Sequence, residues 1–275
     1  MRRRPDVPSW GGMAIQTAVT MKAHIVRYDT GHGSRWGLLD GGQVRELRGD
    51  LYGRWEAGPV VGALKTVALL APALPSKIVC VGRNYPAHAA EFGNELPAEP
   101  LLFFKPPSSI IGPGATILLP PQSERVEHEA ELAVVIGRHC RNVRPEAAWA
   151  CVLGVTAAND VTARDLQRRD GQWTRAKGFD TFCPLGPSLL TGLSAAEAAD
   201  LSLVCRVNGE VRQAGRTGQM VFSPAALIAY ISAVMTLEPG DVLLTGTPAG
   251  VGPLLPGDVV EVEVEGVGVL SNTVA

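Results

Sequence analysis

Short apolar and β-branched runs, separated by Gly and Pro, dominate the hydrophobic pattern of the chain and predict many short strands. Helical periodicity is rarer. The predicted helices are 60–70, 145–150 and 224–235. The predicted strands are 23–28, 35–39, 43–47, 78–81, 101–104, 131–136, 152–156, 201–207, 242–245 and 259–264. Strict alternation of strand and helix is absent from this pattern, which disfavours a Rossmann sheet. The sequence therefore predicts a strand-dominated α+β protein.

Two prolines, Pro72 and Pro75, interrupt the pattern and predict a domain boundary near residue 74. Residues 21–73 form a small N-terminal α+β domain in this interpretation, and residues 74–275 form the main domain. Residues 1–20 hold Gly and Pro without periodicity, and no apolar run of signal-peptide length follows their basic start. We interpret them as an N-terminal tail or as the product of a misplaced start codon.

Composition and charge narrow the class of protein further. The 275 residues are 46% hydrophobic and 19% charged, with a formal net charge of −2, which argues against a nucleic-acid partner. Apolar windows are too short or too interrupted to span a bilayer, so no membrane partner is predicted. The five cysteines form no Cys-x-x-Cys pair, and a reducing, cytoplasmic location is the expected reading.

Three carboxylates are candidate metal ligands. Glu129 and Glu131 stand two residues apart, so the period of a strand points both to one face. Asp160 follows a predicted buried strand. Taken alone, the pair is more often a solvent-facing strand edge, and Asp160 would serve as a helix N-cap. With an oxygen-only ligand set, the three together would suit Mg²⁺, Mn²⁺ or Ca²⁺ rather than Zn²⁺.

His88 and Glu91 are three residues apart and would be neighbours on a helical turn. A carboxylate beside an imidazole fixes its tautomer and raises its basicity, so this dyad could act as a general base towards water. A surface His–Glu pair is the commoner meaning of such spacing. Gly82 and Gly93 flank the dyad, and we hypothesise a mobile lid that carries the base.

Cationic and hydrogen-bonding residues follow. Arg164 and Gln167 come just after Asp160, and Lys177 lies a short distance beyond. Near a metal they would suit an anionic, oxygen-rich substrate, although surface charge is the default for Lys and Arg. The loop 245–252 is rich in Gly and either lets backbone approach a carboxylate or forms a tight turn.

Together these segments resemble the fumarylacetoacetate hydrolase family, and more closely its acylpyruvase and fumarylpyruvate hydrolase-like branch, which also includes isomerases of 2-hydroxyhepta-2,4-diene-1,7-dioate. The resemblance covers residues 75–275. Five motifs in the family's order are much more specific than any one of them. The motifs are Gly82-Arg83-Asn84-Tyr85 with His88 and Glu91, His128-Glu129-Ala130-Glu131-Leu132, Asn159-Asp160-Val161-Thr162-Ala163-Arg164-Asp165, Ala176-Lys177-Gly178-Phe179-Asp180, and Thr245-Gly246-Thr247-Pro248.

The resemblance implies a mixed β-sandwich roll, a homodimer and a site for Mg²⁺ or Mn²⁺. By position in the motifs, Glu129, Glu131 and Asp160 would bind the metal with Lys177 beside it. His88 and Glu91 match a lid dyad that activates water. The positions assigned to substrate binding are Arg83, Tyr85, Arg164, Gln167 and Thr247. The chain lacks the extra upstream aspartate of eukaryotic fumarylacetoacetate hydrolases, which disfavours fumarylacetoacetate as the substrate.

The activity implied by the resemblance is metal-dependent hydrolysis of a carbon–carbon bond in a 2,4-diketo acid, with pyruvate enolate as the leaving group. The expected substrate is a small dicarboxylate or 2-oxo acid. Isomerisation of 2-hydroxyhepta-2,4-diene-1,7-dioate and decarboxylation of oxaloacetate use the same enolate chemistry, and fold alone does not choose among them. The dyad favours hydrolysis. A silent binding protein is disfavoured because His88, Glu91 and Lys177 are all present.

Overall fold

The structure is a computed structural model that describes residues 21–275; the predicted tail, residues 1–20, lies outside them. Its helices are α1 (Pro86–Glu91), α2 (Pro145–Ala148), α3 (Arg164–Asp170), α4 (Thr174–Lys177), α5 (Ala195–Ala198) and α6 (Pro224–Val234). Its strands are β1 (His24–Asp29), β2 (Ser34–Asp40), β3 (Gln43–Gly49), β4 (Trp55–Ala63), β5 (Leu69–Leu70), β6 (Ile78–Gly82), β7 (Leu101–Lys105), β8 (Ile110–Ile111), β9 (Thr116–Ile117), β10 (Val126–His128), β11 (Ala130–Ile136), β12 (Val152–Asn159), β13 (Thr162–Ala163), β14 (Cys183–Thr191), β15 (Ser202–Val207), β16 (Glu210–Arg216), β17 (Val242–Leu244), β18 (Gly252–Pro253), β19 (Val259–Val264) and β20 (Gly268–Val274).

The strands form three sheets, which confirms the strand-dominated α+β class. The largest runs in the order β4-β3-β2-β1-β14-β12-β11-β17-β6-β7, with β5 paired to β1 and β8 to β14. A five-stranded sheet, β16-β15-β19-β20-β9, and a three-stranded sheet, β13-β10-β18, complete the fold. Antiparallel pairs predominate, but β17 and β6 are parallel, so the largest sheet is mixed as expected.

The N-terminal segment joins the main domain through continuous β-pairing. Strand β1 pairs antiparallel with β14, with His24 opposite Leu190, so the β1–β4 meander extends the largest sheet. The helix predicted for 60–70 is wrong. That segment holds the end of β4, a 3₁₀ turn at Leu64–Thr66 and strand β5. Pro59 and the β-branched Val60 and Val61 disfavour a helix, and β4 lies at the sheet edge where a proline is tolerated.

Side chains of the largest sheet alternate between two cores. Leu132, Val134 and Ile136 of β11 pack in the core that also holds Leu203 and Val262 of the five-stranded sheet. The intervening Ala133 and Val135 pack on the opposite face, with Leu38 and Leu47 from the N-terminal segment. Both faces of β11 are therefore covered, which explains its continuous apolar sequence.

Within residues 21–275, no helix combines the length and the apolar character that crossing a bilayer requires.

Candidate active site

Strand pairing brings the three candidate metal ligands together. Ala130 of β11 lies opposite Asn159 of β12, and the Asp160 amide donates to the Glu129 carbonyl at 2.8 Å. Carboxylate oxygens of Glu129, Glu131 and Asp160 all lie within 4.8 Å of one another, and all three residues are buried. Burial excludes the solvent-facing strand edge. Ala163, and not Asp160, caps α3, so the capping role is excluded as well.

Two buried lysines hold this triad. Lys177 Nζ donates to Glu129 Oε2 at 2.8 Å and to Asp160 Oδ2 at 2.7 Å. Lys105 Nζ donates to the other oxygen, Asp160 Oδ1, at 2.6 Å and to the Val161 carbonyl at 3.1 Å. The sequence analysis missed Lys105. Its one signal is a lone charge directly after a four-residue apolar run, a pattern that more often ends a strand at the surface.

Arg164 connects the triad to a further buried carboxylate. Its Nε donates to Glu127 Oε2 at 2.6 Å, its Nη2 to Glu129 Oε1 at 2.5 Å, and its Nη1 to Gln167 Oε1 at 2.6 Å. The guanidinium also lies 4.9 Å from the centre of the Phe92 ring. Arg164 was predicted to bind substrate, and the structure shows that protein groups already engage all three of its nitrogens.

The charges in the cluster shift the pKa values of two carboxyl groups, Glu129 and Glu131, in opposite directions. Burial raises the pKa of Glu129, but the positive charges of Lys177 and Arg164 outweigh it, and the net pKa lies well below its usual range. Burial, Asp160 and Glu129 together raise the pKa of Glu131 well above its ordinary value. Burial lowers the pKa of Lys177, yet Asp160 and Glu129 raise it above its ordinary value overall. Glu131 is thus the carboxyl group that most readily holds a proton.

The cluster fits a hard divalent cation. Its donors are carboxylate oxygens only, the ligand type of Mg²⁺, Mn²⁺ and Ca²⁺. Four buried carboxylates, Glu127, Glu129, Glu131 and Asp160, face three buried cations, Lys105, Arg164 and Lys177. The exposed Arg125 adds a fourth cation, with Nε 2.6 Å from Glu127 Oε1, so the cluster is neutral when all are ionised. Glu131 is the one of the four carboxylates without an ion pair among the described residues, and burial makes its charge costly unless a proton or a cation neutralises it.

Gly246 supports Glu131 from the end of β17. Its amide donates to Glu131 Oε2 at 2.7 Å. This residue has a φ of +97°, and an added Cβ would come within 2.7 Å of the Asn84 Cβ. Only glycine meets both conditions without strain, so the Thr-Gly-Thr-Pro segment serves to bring a backbone donor to the triad.

The His88–Glu91 dyad forms as its spacing predicts. On α1, His88 Nδ1 lies 3.2 Å from Glu91 Oε2, and the imidazole is buried. Glu91 in turn accepts from the Gly250 amide at 3.2 Å. The Gly-rich loop therefore does approach carboxylates, that of Glu131 through Gly246 and that of Glu91 through Gly250. With Nδ1 engaged, Nε2 is the ring nitrogen left for chemistry.

A cavity of about 270 Å³ is lined by His88 of the dyad and by Glu129 and Glu131 of the triad, while Glu91 and Asp160 lie behind its wall. Of the residues predicted for the site, His88, Glu129, Glu131, Lys177, Arg83, Arg164, Gln167 and Thr247 line it. Six further lining residues were not predicted from the sequence: Val81, Phe92, Asn94, Phe103, Arg168 and Trp173. Gly82 lines it too. A side chain at this position would clash, since a Cβ there would lie 2.7 Å from the Trp173 ring.

Tyr85 is the exception among the predicted substrate-binding residues. It is 2% exposed, and it does not contribute to the wall of the cavity among the described residues. It precedes Pro86, which favours the extended backbone seen here (φ −121°, ψ 126°), and its side chain is buried near Glu131. Burial and the charge of Glu131 raise its pKa. Its hydroxyl has no hydrogen-bond partner among the described residues.

Residues 77–275 match the family described as fumarylacetoacetate (FAA) hydrolase C-terminal, and residues 23–72 match the family described as Rv2993c-like, N-terminal. The chain belongs to the fumarylacetoacetate hydrolase family. This is a family of enzymes, and the mixed strand-rich fold agrees with that of its solved members.

Two relatives and one structure show the range of names in the fumarylacetoacetate hydrolase family. Protein Rv2993c of Mycobacterium tuberculosis is 54% identical over 211 residues, 77% of this chain and 80% of that protein. Human mitochondrial oxaloacetate tautomerase FAHD2A is 51% identical over 218 residues, 76% of this chain and 69% of that protein. The crystal structure of 2-hydroxyhepta-2,4-diene-1,7-dioate isomerase from Mycobacterium marinum has 44% identity and a TM-score of 0.84, covering 92% of this chain and 98% of that one.

The Glu131→Gln variant tests the metal site. The pKa of Glu131 in the native protein is raised above its ordinary value of 4.5. Without metal, the free energy of unfolding of the wild type should therefore fall as the pH rises from 4.5 through the raised native pKa. A metal that displaces the proton should stabilise more strongly as pH rises over the same window. Saturating Mg²⁺ at about 100 times its Kd adds about 2.7 kcal/mol.

Melting temperatures with Mg²⁺ and with EDTA, measured across this pH window, check the expectation. Glu131→Gln should fold at least as well as wild type without metal, because Gln mimics the protonated acid, and it should lose both the pH slope and the Mg²⁺ response. An unchanged Mg²⁺ response in the variant would contradict a metal site at this triad.

The Tyr85→Phe variant tests whether Tyr85 binds substrate. Removing a buried hydroxyl without a partner removes a desolvation cost of about 1–3 kcal/mol, so we expect equal or greater stability in urea unfolding. The KM for any substrate turned over should stay unchanged. A clear increase in KM at unchanged stability would instead support the prediction that Tyr85 binds substrate.

Proposed function

We propose that this enzyme catalyses proton transfer at the carbon beside the 2-oxo group of a small 2-oxo acid, as a tautomerase or isomerase. The observation that carries the proposal is the position of His88, whose Nε2 is free while Nδ1 faces Glu91, in one cavity with Glu129, Glu131 and Lys177. The relatives named as oxaloacetate tautomerase and as a dienoate isomerase support it.

His88, Glu91 and Lys177 would have distinct roles in this proton transfer. His88 Nε2 would accept the proton from C3, the C2–C3 double bond would form, and the electron pair of the carbonyl would move to the 2-oxo oxygen. Glu91, fixed by Gly250, would keep the imidazole in the required tautomer. The ammonium group of Lys177 would stabilise the negative charge on that oxygen. Return of the proton from His88, or protonation of the oxygen, completes the interconversion.

The proposed reaction also uses a divalent metal ion, which the three carboxylates of the triad would bind. Glu129, Glu131 and Asp160 would hold Mg²⁺ or Mn²⁺, with Ca²⁺ as a further candidate, and the bound ion would supply Lewis-acid polarisation of the substrate oxygens. Gln167 Nε2 would donate to a substrate oxygen at the cavity wall. The Thr247 hydroxyl also lines the cavity, but it already donates to the Ala130 carbonyl at 2.7 Å and has no further proton for a substrate oxygen.

Hydrolysis of an acylpyruvate is the second candidate, favoured by the same dyad. Here His88 would take a proton from water, and the hydroxide would attack the 4-carbonyl carbon. One base that takes and returns a proton suffices for tautomerisation, whereas hydrolysis also needs a positioned water. Among the described lining residues His88 is the only imidazole, which is why we place proton transfer first.

Parallel assays separate the candidates. We expect the enzyme with Mg²⁺ to accelerate enol-to-keto conversion of oxaloacetate, followed by ultraviolet absorbance, and EDTA to abolish the effect. Pyruvate release from acetylpyruvate, fumarylpyruvate and oxaloacetate is measured alongside. Pyruvate from an acylpyruvate without enol conversion would replace the proposal by hydrolysis, and pyruvate from oxaloacetate alone would replace it by decarboxylation.

The setting of the enzyme is part of the proposal. Five buried free cysteines fit a reducing cytoplasm, and the family resemblance supports a homodimer. Residues 23–72 and 77–275 match separate families, which supports a small N-terminal domain followed by a catalytic domain from residue 74 onward. Aromatic catabolism is the corresponding metabolic setting.

A further inference from the structure

The charged side chains that line the cavity are unevenly engaged. Four cations line it, Arg83, Arg164, Arg168 and Lys177, against two carboxylates, Glu129 and Glu131. Arg164 and Lys177 are bound to carboxylates of the protein. Among the described residues, neither the Arg83 nor the Arg168 side chain has a hydrogen bond or an ion pair. Two guanidinium groups in one cavity therefore remain available to an anion.

The backbone at Arg83 is unusual. Its φ is +57°, a left-handed conformation that costs free energy for any residue except glycine. Gly82 before it is held close to the Trp173 ring, and Asn84 after it is buried with hydrogen bonds to Phe222 and Thr245. The flanking contacts thus fix a strained Arg at the cavity wall. Backbone strain of this kind is concentrated at ligand sites.

Arg168 comes from a different element, α3. Gln167 beside it also lines the cavity, whereas Arg169, the next residue, does not. Arg169 instead lies 3.7 Å from Asp170 with 63% of its side chain exposed. Arg168 is itself exposed and Arg83 is partly exposed, so solvated surface charge is the ordinary explanation for either residue alone. That explanation does not account for two unpaired guanidinium groups from separate segments that line the same cavity.

We propose that Arg83 and Arg168 bind the second carboxylate of a dicarboxylic 2-oxo acid, and so select dicarboxylates over monocarboxylates. The inference rests on the proposed function, in which the 2-oxo acid end lies at the triad and Lys177. Guanidinium groups match carboxylates in geometry and charge. Selectivity arises because a monocarboxylate would leave both guanidinium groups without a partner.

A matched pair of substrates tests the proposal. Oxaloacetate and 2-oxobutyrate both carry C3 hydrogens beside a 2-oxo group, and they differ in a distal carboxylate against a methyl group. Exchange of C3 hydrogen for deuterium, followed by NMR with Mg²⁺, gives kcat and KM for each after subtraction of the uncatalysed rate. The variants are Arg83→Gln, Arg168→Gln and their combination. Arg169→Gln removes the same charge one residue outside the cavity and is the control.

We expect kcat/KM for oxaloacetate to fall about 10- to 100-fold in each variant, chiefly through KM. Exchange of 2-oxobutyrate should change by less than about 3-fold, and Arg169→Gln should match wild type on both substrates. Equal losses on both substrates would overturn the proposal, because they would indicate a structural defect. Unchanged oxaloacetate kinetics would overturn it as well.

Failure of the proposed function is recognised separately. If wild type exchanges neither substrate, proton transfer is wrong, and binding then decides the inference. The melting temperature is measured with Mg²⁺ and either oxaloacetate or 2-oxobutyrate. Stronger stabilisation of wild type by the dicarboxylate, lost in Arg83→Gln and Arg168→Gln alone, would support the anion site. Equal stabilisation by both acids, or none by either, would overturn it.

Discussion

Replacing His88 by Ala is expected to lower kcat for enol conversion of oxaloacetate by about 10²- to 10⁴-fold, the usual loss when a general base is removed. The reason lies in the cavity. His88 Nε2 is the nitrogen left free by the contact between Nδ1 and Glu91. The remaining lining carboxylates, Glu129 and Glu131, are bound to Lys177, Arg164 or the Gly246 amide.

Controls separate the loss of a base from damage to the fold. His139 is exposed and lies 3.5 Å from Glu238 outside the cavity, so His139→Ala should retain wild-type kinetics. Added imidazole should restore part of the activity of His88→Ala by entering the space left by the side chain. Glu91→Gln should fall between wild type and His88→Ala, because it weakens the orientation of the imidazole while the base remains.

Three outcomes would contradict the assignment of His88 as the base. Full activity in His88→Ala would mean that proton transfer uses another group. Loss of activity without imidazole rescue, accompanied by a lower melting temperature, would assign His88 a structural role through its 5.2 Å edge contact with Phe92. A loss on acylpyruvates together with full activity in enol conversion would identify His88 as a base towards water only.

Local patterns in the sequence predicted ten of the twenty described strands, because period-two alternation and short apolar runs follow from strand geometry itself. Strands β14, β16 and β20 are among those that were not predicted. The spacing of Glu129 and Glu131 and of His88 and Glu91 is equally local, and the structure brings each pair together. The helix predicted at 60–70 failed because Pro59 and β-branched neighbours matter more there than apolar content.

Contacts between residues far apart in the sequence could not be predicted from such local patterns. Lys105 contacts Asp160 across 55 residues of sequence, and an isolated lysine after an apolar run carries no sign of its partner. Tyr85 is two residues from a cavity-lining Arg83, yet the left-handed backbone at Arg83 separates their directions. Residue type and spacing do not encode a change of that kind.

The Lys105→Met variant is expected to show the largest loss of stability, about 3–5 kcal/mol in the free energy of unfolding. Lys105 is 1% exposed, and its partner Asp160 is fully buried. Removing the lysine leaves Asp160 Oδ1 and the Val161 carbonyl without their donor. Burial then penalises the unpaired carboxylate. Urea unfolding, at constant pH and with EDTA, measures the change.

Second substitutions and Mg²⁺ make the origin of that loss identifiable. Lys105→Met combined with Asp160→Asn removes both charges, so the double variant should lose less stability than the sum of the two single variants. Lys22→Met removes a lysine from an exposed pair with Glu197 and should change stability little.

Mg²⁺ should recover part of the loss in Lys105→Met, since a cation at the triad supplies positive charge beside Asp160. Additive losses in the double variant would contradict a direct Lys105–Asp160 coupling, and a small loss in Lys105→Met alone would mean that Lys177 suffices to hold Asp160.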